Sequence, residues 1–336
     1  MSKKTKKIVC IGGGSGVSMV LSGLMDYPYN LTAIVTMFDN GGSSGKLRKE
    51  LGILPLGDVR ACLSVLSKEK TITPLFYSRF QSGKLKGHNL GNLILAAAEQ
   101  LTGSLEKGIE RIGAILKIKG KVLPVALESA HIKVVLNNGK KIVGEEEIIN
   151  CRDVSRVGIR KISLEPKVKV NPSVIRAIKE ADLIIIAPGK FYTSVIPNLL
   201  VEGVSEVITK SSAPKFLITN LMVQTGNTDN LKVEDFVRIA ENYLGKGNID
   251  RVIFNTSNLS PALMKKVREV FPRTGVVDYD KRLLKDKKFI GGNFIDKNIY
   301  KSNPNDILVR GQNKRTMILH NSKKLGEVIN KILCKL

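Results

Sequence analysis

A glycine-rich turn near the start of the chain has the composition of an anion-binding site. Residues 7–16 read KIVCIGGGSG, an apolar stretch whose glycines open the helix predicted over residues 17–25. Because glycine carries no side chain, main-chain N–H groups there can approach an anion, and the helix dipole favours negative charge at the same place. The residues that we expect to contact a phosphate group are Gly12, Gly13, Gly14, Ser15 and Gly16.

The spacing of these glycines departs from the known nucleotide-binding fingerprints. The G-x-G-x-x-G pattern of dinucleotide sites requires a glycine where this chain has Val17, and the turn is not a G-x-x-x-x-G-K-[ST] loop either. The glycines can therefore also be interpreted as a tight turn between a strand and a helix, with no ligand.

A carboxylate followed by a donor-rich loop comes at the end of the second predicted strand, LTAIVTMF. Asp39 lies at about the distance from the glycine turn where dinucleotide folds place a ribose-binding carboxylate. The loop that follows offers N–H and hydroxyl donors to phosphate oxygens, although it can also be a plain flexible loop. The candidates in this segment are Asp39, Asn40, Gly42, Ser43 and Ser44.

Residues 87–92, GHNLGN, begin a strongly apolar predicted helix over residues 88–101. Asn89 and Asn92 are one helical turn apart, so both amides can point to one side, beside the free N–H groups of the helix start. Ordinary helix capping by Asn89 is an equally good interpretation. His88 is a candidate as well, although no second histidine or cysteine shares a ligand spacing with it.

Two later segments follow predicted strands and complete the set of candidates. Residues 187–194 form a second strand–glycine–helix turn, which predicts a second anion site or the other wall of the first. Residues 220–224 follow the strand KFLITN, and their amides are expected to contact a base or a sugar. The candidates are Gly189, Lys190, Tyr192, Thr193, Ser194, Asn220, Met222 and Gln224. No triad or acid–base carboxylate pair accompanies them, so binding is favoured over hydrolysis.

Strand and helix patterns alternate along most of the chain, which predicts an α/β fold with a mainly parallel sheet flanked by helices. We expect residues 1–336 to form a single domain. Within it, residues 121–165 read as strands with a hairpin turn at residues 137–139, which predicts a small β-rich insertion on one edge. An amphipathic helix over residues 320–336 is expected to pack on the sheet.

Composition narrows the function classes. The chain is 43% apolar without a run long enough to span a membrane, and its four dispersed cysteines are typical of a reducing cytoplasm. The formal net charge of +24 suggests nucleic acid as a partner. However, the lysines are spread along the chain without a nucleic-acid-binding motif, so no specific nucleic-acid partner is expected.

Several motifs in fixed order resemble the gluconeogenesis-factor family (YvcK type), a branch of the superfamily that contains the 2-phospho-lactate transferases (CofD type). The likeness covers about residues 7–235. The motifs that carry it are IVCIGGGSGVS, LTAIVTMFDNGGSSGKLRKELG, GDVR, GHNLGNL, KGKVLP, ADLIIIAPGKFYTSVIPNLLV and NLMVQ.

The resemblance implies a Rossmann-like fold and a cytoplasmic protein that binds a uridine-diphosphate sugar, typically UDP-N-acetylglucosamine. It also implies links to carbon metabolism, cell-wall synthesis and cell shape, with cell-wall synthesis proteins as partners and a homo-oligomeric assembly. By position the candidates above match the family's boxes, and Asp39 matches the first aspartate of its D-D-G-G-S-S-G loop. The transferase branch instead joins a guanylylated phospholactate to a deazaflavin with magnesium.

The chain departs from the family at three informative positions. Asn40 replaces the loop's second aspartate, Ala61 replaces the asparagine that usually follows G-D-I-R, and Lys190 replaces a serine. Losing a carboxylate weakens a magnesium-dependent mechanism, because magnesium is usually held by one or two carboxylates plus substrate phosphates. We therefore expect a binding factor that requires no cofactor. The alternative is a magnesium-dependent transferase in which Asp39 accepts a proton from the acceptor hydroxyl.

Overall fold

The central sheet contains seven parallel strands in the computed structural model, which describes residues 5–224, 228–272, 274–296, 298–300, 308 and 318–335. The strands of the protein are β1 Lys7–Gly12, β2 Asn30–Val35, β3 Lys121–Pro124, β4 His131–Leu136, β5 Lys141–Val143, β6 Ile159–Glu165, β7 Leu183–Ile186, β8 Lys215–Ile218, β9 Arg251–Asn255 and β10 Phe289–Gly292. Strands β7 and β8 are buried along their whole length, as their apolar runs predict for parallel strands covered on both faces.

The order of the central strands is β10-β9-β8-β7-β1-β2-β3. The chain moves outward from β1 through β2 to β3, and later returns to the other side of β1 to add β7 through β10. Ligands of open α/β sheets bind where the strand order reverses, beyond the carboxyl ends of the strands. In this sheet that point lies between β1 and β7. The predicted mainly parallel, Rossmann-like α/β fold is confirmed.

Helices cover the faces of the sheet and begin close to their predicted starts. They are α1 Gly14–Leu24, α2 Gly42–Leu51, α3 Gly57–Leu66, α4 Leu90–Thr102, α5 Leu105–Ile115, α6 Glu145–Asn150, α7 Asp153–Val157, α8 Pro172–Lys179, α9 Ile196–Leu200, α10 Val204–Lys210, α11 Val233–Leu244, α12 Pro261–Val270 and α13 Ser322–Leu333. Helix α1 includes Gly14 to Gly16, so the second half of the glycine turn is already helical. Asn89 caps α4, in agreement with one of its two interpretations, and Ser104 caps α5.

The β-rich insertion is smaller than predicted, and it contains two helices as well as strands. Residues 121–124 form β3, which pairs with β2 in the central sheet, so their assignment to the insertion was wrong. The insertion is the antiparallel sheet β5-β4-β6 with α6 and α7. The segment KIVGEE is a strand only to Val143, because Gly144 at φ +105° ends it and the following glutamates favour a helix start. The hairpin turn near Gly139 is confirmed.

The last helix packs mainly against α1 and not, as the sequence suggested, on the sheet. Gly23 in α1 and Gly326 in α13 lie at the contact, and a Cβ atom on either would overlap the backbone of the other helix. The missing side chains let the two backbones approach closely, and Leu325 and Ile329 are fully buried beside them. None of the helices in the described ranges has the length and apolar character needed to cross a lipid bilayer.

His320, just before α13, is a buried histidine that resists protonation. It is 7% exposed, and its Nε2 has no hydrogen-bond partner among the described residues. Burial lowers the pKa of His320 to about 4, although a hydrogen bond to the Thr219 backbone opposes the shift. The histidine is therefore neutral in the folded protein, whereas it binds a proton below about pH 6.5 once the chain unfolds.

We therefore expect acid to destabilise the protein partly through His320. Between pH 7 and pH 4.5 this residue should remove about 2 kcal/mol of stability, because the unfolded chain gains the proton first. Urea unfolding of a His320→Gln variant should show a correspondingly shallower loss across this pH range. His131→Gln in β4 is the comparison: burial lowers the pKa of His131 as well, but the residue is exposed, so its replacement should flatten the pH dependence less. An equal pH dependence in wild type and His320→Gln would contradict the assignment.

Candidate functional site

The bends that follow β1 and β7 touch each other at the carboxyl edge of the sheet. A Cβ atom on Gly16 would overlap the carbonyl oxygen of Pro188, and one on Gly13 would lie 2.7 Å from the Cβ of Ser194. The absence of side chains is therefore required for this contact. Gly12, Gly13 and Gly14 are buried, and Ser15 is exposed. The two predicted turns thus adjoin at this edge of the sheet, and we call the region around them the crevice.

A carboxylate of the protein already lies at the start of α1. A Cβ atom on Gly14 would be 2.5 Å from the Cα of Asp58, whose carboxylate accepts the Gly14 N–H. Burial, with repulsion from Asp39, raises the pKa of Asp58 to about 6, against the effects of Gly14, Lys190 and Arg60. The residues around the GDVR motif predict only that Asp58 lies near the start of a helix. Its place at the glycine turn depends on how α3 packs on α1.

The Asp39 loop leads into α2, which has no side-chain cap at its start. Asp39 is half-buried, and its Oδ1 accepts the N–H of Gly41 at 2.8 Å. The Ser43 and Ser44 hydroxyls are buried and already contact other protein groups. The two hydroxyls of this loop are therefore already used within the protein.

The GHNLGN box holds the Asp39 loop in place. The Asn92 amide donates to the Ser43 and Ser44 hydroxyls, both at 3.4 Å, and the Asn89 N–H donates to Ser43 at 3.3 Å. Nδ1 of His88 lies 3.3 Å from the same Ser43 hydroxyl, and burial lowers the pKa of His88. These contacts bring the starts of α2 and α4 together. They favour capping and positioning for these three residues over direct contact with a ligand.

Asn40 connects the Asp39 loop to the insertion. Its Oδ1 accepts the N–H of Glu146 at 2.9 Å, and its Nδ2 donates to Oε2 of Glu147 at 2.8 Å. An aspartate at position 40 would have no amide to donate to Glu147 and would repel it. Arg48 adds a second connection, since it donates to the Ser129 hydroxyl and to the Ala130 carbonyl. The insertion is thus docked on the site.

Helix α6 of the insertion brings Glu145 into the crevice. Its Oε1 accepts a hydrogen bond from Nζ of Lys190 at 3.0 Å and lies 3.5 Å from the Thr193 hydroxyl. Its Oε2 is buried without a partner among the described residues. Burial and the nearby Asp39 raise the pKa of Glu145 well above its usual range, although Lys190 opposes them. The sequence reading missed this residue because it placed the glutamates in a strand.

Of the remaining candidates, one positions the second bend, one packs in an apolar cluster, and two are half-buried. The Asn220 amide donates to the Gly189 carbonyl at 2.8 Å and accepts the Gly189 N–H at 3.1 Å, so it holds the second bend. Met222 packs in a small apolar cluster with Leu259. Tyr192 is half-buried, and burial beside Tyr243 raises its pKa to about 12. Gln224 is also half-buried, and only its backbone hydrogen bonds to Thr228 are described.

The donor set of the crevice does not fit magnesium well. Three carboxylates interact electrostatically there, those of Asp39, Asp58 and Glu145. However, the Lys190 ammonium already lies against Glu145, and it acts on the other two as well. Within the described ranges no three histidine, cysteine or acidic side chains converge as a set of metal ligands. The lysine therefore already balances part of the negative carboxylate charge that a magnesium ion would otherwise balance.

Comparison with known proteins identifies the family. The family model described as "2-phospho-L-lactate transferase CofD" matches residues 8–295. This chain belongs to the CofD family. Another member, described as "Gluconeogenesis factor" in Listeria innocua, is 41% identical over 268 residues, which are 79% of this chain and 82% of that protein.

Two further proteins are similar to this chain over most of its length. A Clostridium acetobutylicum protein is 41% identical over 298 residues, 87% of this chain but only 65% of its own length, so this chain spans just under two thirds of that relative. A crystal structure of a Bacillus halodurans protein superimposes with a TM-score of 0.85 at 36% identity. That superposition covers 97% of this chain and 100% of the other.

The contact between the two bends predicts an unusual response to a glycine substitution. Alanine in a helix is normally more stable than glycine, but a Gly16→Ala methyl group would overlap the Pro188 carbonyl. We expect Gly16→Ala to lower the free energy of unfolding by about 2–3 kcal/mol in urea titrations. Gly275→Ala is the control, because no neighbouring atom lies within 4 Å. A Gly16→Ala variant as stable as wild type would show that the bends do not touch.

Proposed function

We propose that the crevice between the bends after β1 and β7 binds a nucleoside-diphosphate sugar, with UDP-N-acetylglucosamine as the representative ligand. The single observation that carries this proposal is the contact of the two glycine bends at the point where the strand order reverses. Ligands of open α/β sheets bind at such a point. The starts of α1 and α2 add positive potential there, which favours phosphate groups.

The parts of the ligand are assigned to different walls of the crevice. The diphosphate lies beside the starts of α1 and α2, next to the Gly14 N–H that Asp58 already accepts. Asp39 contacts a ribose or sugar hydroxyl. The Asn220 amide is engaged by Gly189, so Gln224 is the better candidate for a contact with the base.

The proposed role is regulation by a metabolite in the cytoplasm rather than turnover. Relatives described as gluconeogenesis factors support a link to carbon metabolism. Roles in cell-wall synthesis and cell shape, with cell-wall synthesis proteins as partners of a homo-oligomer, belong to the same proposal. The hydroxyl and amide groups around Asp39 bond to each other and hold the loop. This use of the polar groups supports ligand binding over catalysis.

Isothermal titration calorimetry of the purified protein with UDP-N-acetylglucosamine tests this function. We expect saturable binding, and a Gln224→Ala variant should bind about tenfold more weakly if its amide contacts the base. Gln100→Ala, at an exposed position in α4, is the matched control and should bind like wild type. The absence of saturable heat with any uridine-diphosphate sugar would reject the proposal.

The family description favours one second candidate, a transferase that acts on a nucleotide-activated donor. In that case Asp39 accepts the proton of the deazaflavin hydroxyl as its oxygen bonds to the phospholactate phosphorus, while the diphosphate bond to the guanylate breaks and guanosine monophosphate leaves. Incubation with a guanylylated phospholactate and a deazaflavin, followed by mass spectrometry, would then show a joined product. An Asp39→Ala variant should lose more than about 99% of the rate, as expected for removal of a general base. Binding without product would favour the regulatory function.

A further inference from the structure

We infer that the ammonium group of Lys190 is the resident cation of this crevice and takes the place of a divalent metal ion. The chain would then bind a diphosphate ligand without magnesium. The statement about the ligand rests on the proposed function. The statement about the metal concerns the protein alone and can be tested without any ligand.

The first support is the position of Lys190 at the junction of two walls. It directly follows Gly189 in the bend after β7, and its Nζ lies 3.0 Å from Oε1 of Glu145 in α6. The carboxylate side chain of Glu145 is only 3% exposed, whereas the lysine side chain is 29% exposed. The ammonium is thus anchored on the protein side by a buried carboxylate while its side chain still reaches solvent.

The second support is the cluster of three carboxyl groups around this lysine. Asp39, Asp58 and Glu145 all interact electrostatically with Lys190, so three carboxylates share one ammonium. Burial alone would lower the pKa of Lys190, but Glu145 and Asp39 outweigh it and raise the pKa. The lysine therefore keeps its charge at neutral pH. A group of acidic side chains that receives a phosphate needs such a positive charge.

The third support is that an ammonium and a magnesium ion compete for the same oxygens. Magnesium requires nearly octahedral oxygen ligands at about 2.0–2.1 Å and gives up its water reluctantly. A divalent ion held by Glu145 and Asp39 would lie close to the Lys190 ammonium and would be repelled by it. Removing the lysine leaves the carboxylates without their cation. Asp39 and Glu145 would then offer two carboxylates, as many as magnesium usually takes from a protein beside water and phosphate oxygens, so the crevice should gain affinity for a divalent ion.

The first experiment measures metal binding by the ligand-free protein. Manganese serves as a paramagnetic stand-in for magnesium, and the signal of free Mn²⁺ is followed by electron paramagnetic resonance. We expect wild type to bind no stoichiometric Mn²⁺ at free ion concentrations up to about 1 mM, the range in which weak protein sites bind divalent ions. Lys190→Ser should bind one ion at least about tenfold more tightly than wild type, and Asp39→Asn in that background should abolish it.

Two lysine variants control for charge and for folding. Lys190→Arg keeps the positive charge and should behave like wild type in the Mn²⁺ titration. Lys210→Ser removes an exposed lysine that is also paired with a glutamate, Glu206, and should leave metal uptake unchanged. Stoichiometric Mn²⁺ uptake by wild type that Asp39→Asn abolishes would overturn the inference. So would a folded Lys190→Ser protein that takes up no ion.

The second experiment measures ligand affinity with and without metal. Calorimetry with UDP-N-acetylglucosamine is run in EDTA and in excess magnesium for wild type and Lys190→Ser. Wild type should give the same dissociation constant within twofold in both buffers. Lys190→Ser should bind about tenfold more weakly in EDTA and recover in magnesium, since the ion replaces the lost charge. Wild-type binding that requires magnesium would overturn the inference.

The two experiments separate the inference from the proposed function. If wild type binds no uridine-diphosphate sugar in either buffer, the proposed ligand is wrong, and the manganese titration still decides the role of Lys190. If wild type binds the sugar nucleotide only with magnesium, the proposed function stands and the inference fails.

Discussion

The approach of Gly16 to the carbonyl oxygen of Pro188 is the constraint on which the site depends. It joins the bend after β1 to the bend after β7 at backbone distance, and only glycine leaves the room for it. Because β1 and β7 are neighbours in the sheet, the two bends emerge side by side. The same proximity aligns the Asn220 amide with Gly189, which fixes the second bend in turn. These backbone contacts fix the separation of the two bends.

Charge balance is the second organising feature of this crevice. Helix starts contribute positive potential, and the chain places carboxylates at two of them. Asp58 accepts the Gly14 N–H, and Glu145 faces Lys190. A ligand phosphate must therefore enter a site that already contains negative charge. Lys190 reduces the electrostatic cost of that entry, so this departure from the family pattern has a physical consequence.

The insertion contributes to the site as well as to the fold. Asn40 caps α6 and Arg48 contacts the chain before β4, so the Asp39 loop and the insertion hold each other. This gives a positional reason for the asparagine at position 40. The amide can donate to Glu147, which a carboxylate cannot do. The asparagine at position 40 and the glutamates of α6 thus depend on each other, because the Asn40 side chain bonds both Glu146 and Glu147.

Local sequence predicted several elements well because their causes lie within a few residues. The apolar runs of β7 and β8, the caps at Asn89 and Ser104, and the hairpin near Gly139 depend on local chemistry. The boundary of the insertion was misjudged for the opposite reason. Residues 121–124 and 131–136 both favour strands, and only their partners decide which sheet each one joins. Pairing partners are distant in sequence and leave no local signal.

The sequence by itself determined the parallel α/β class, the glycine turns and the family to which their motifs point. Those properties follow from periodicity and from residues that are close neighbours in the chain. Only the tertiary structure decided that Asp58 faces Gly14, that Glu145 meets Lys190 and that the hydroxyls of Ser43 and Ser44 are occupied. Each of these contacts joins segments separated by more than forty residues. Their energies depend on distance and burial, which exist only once the helices have packed.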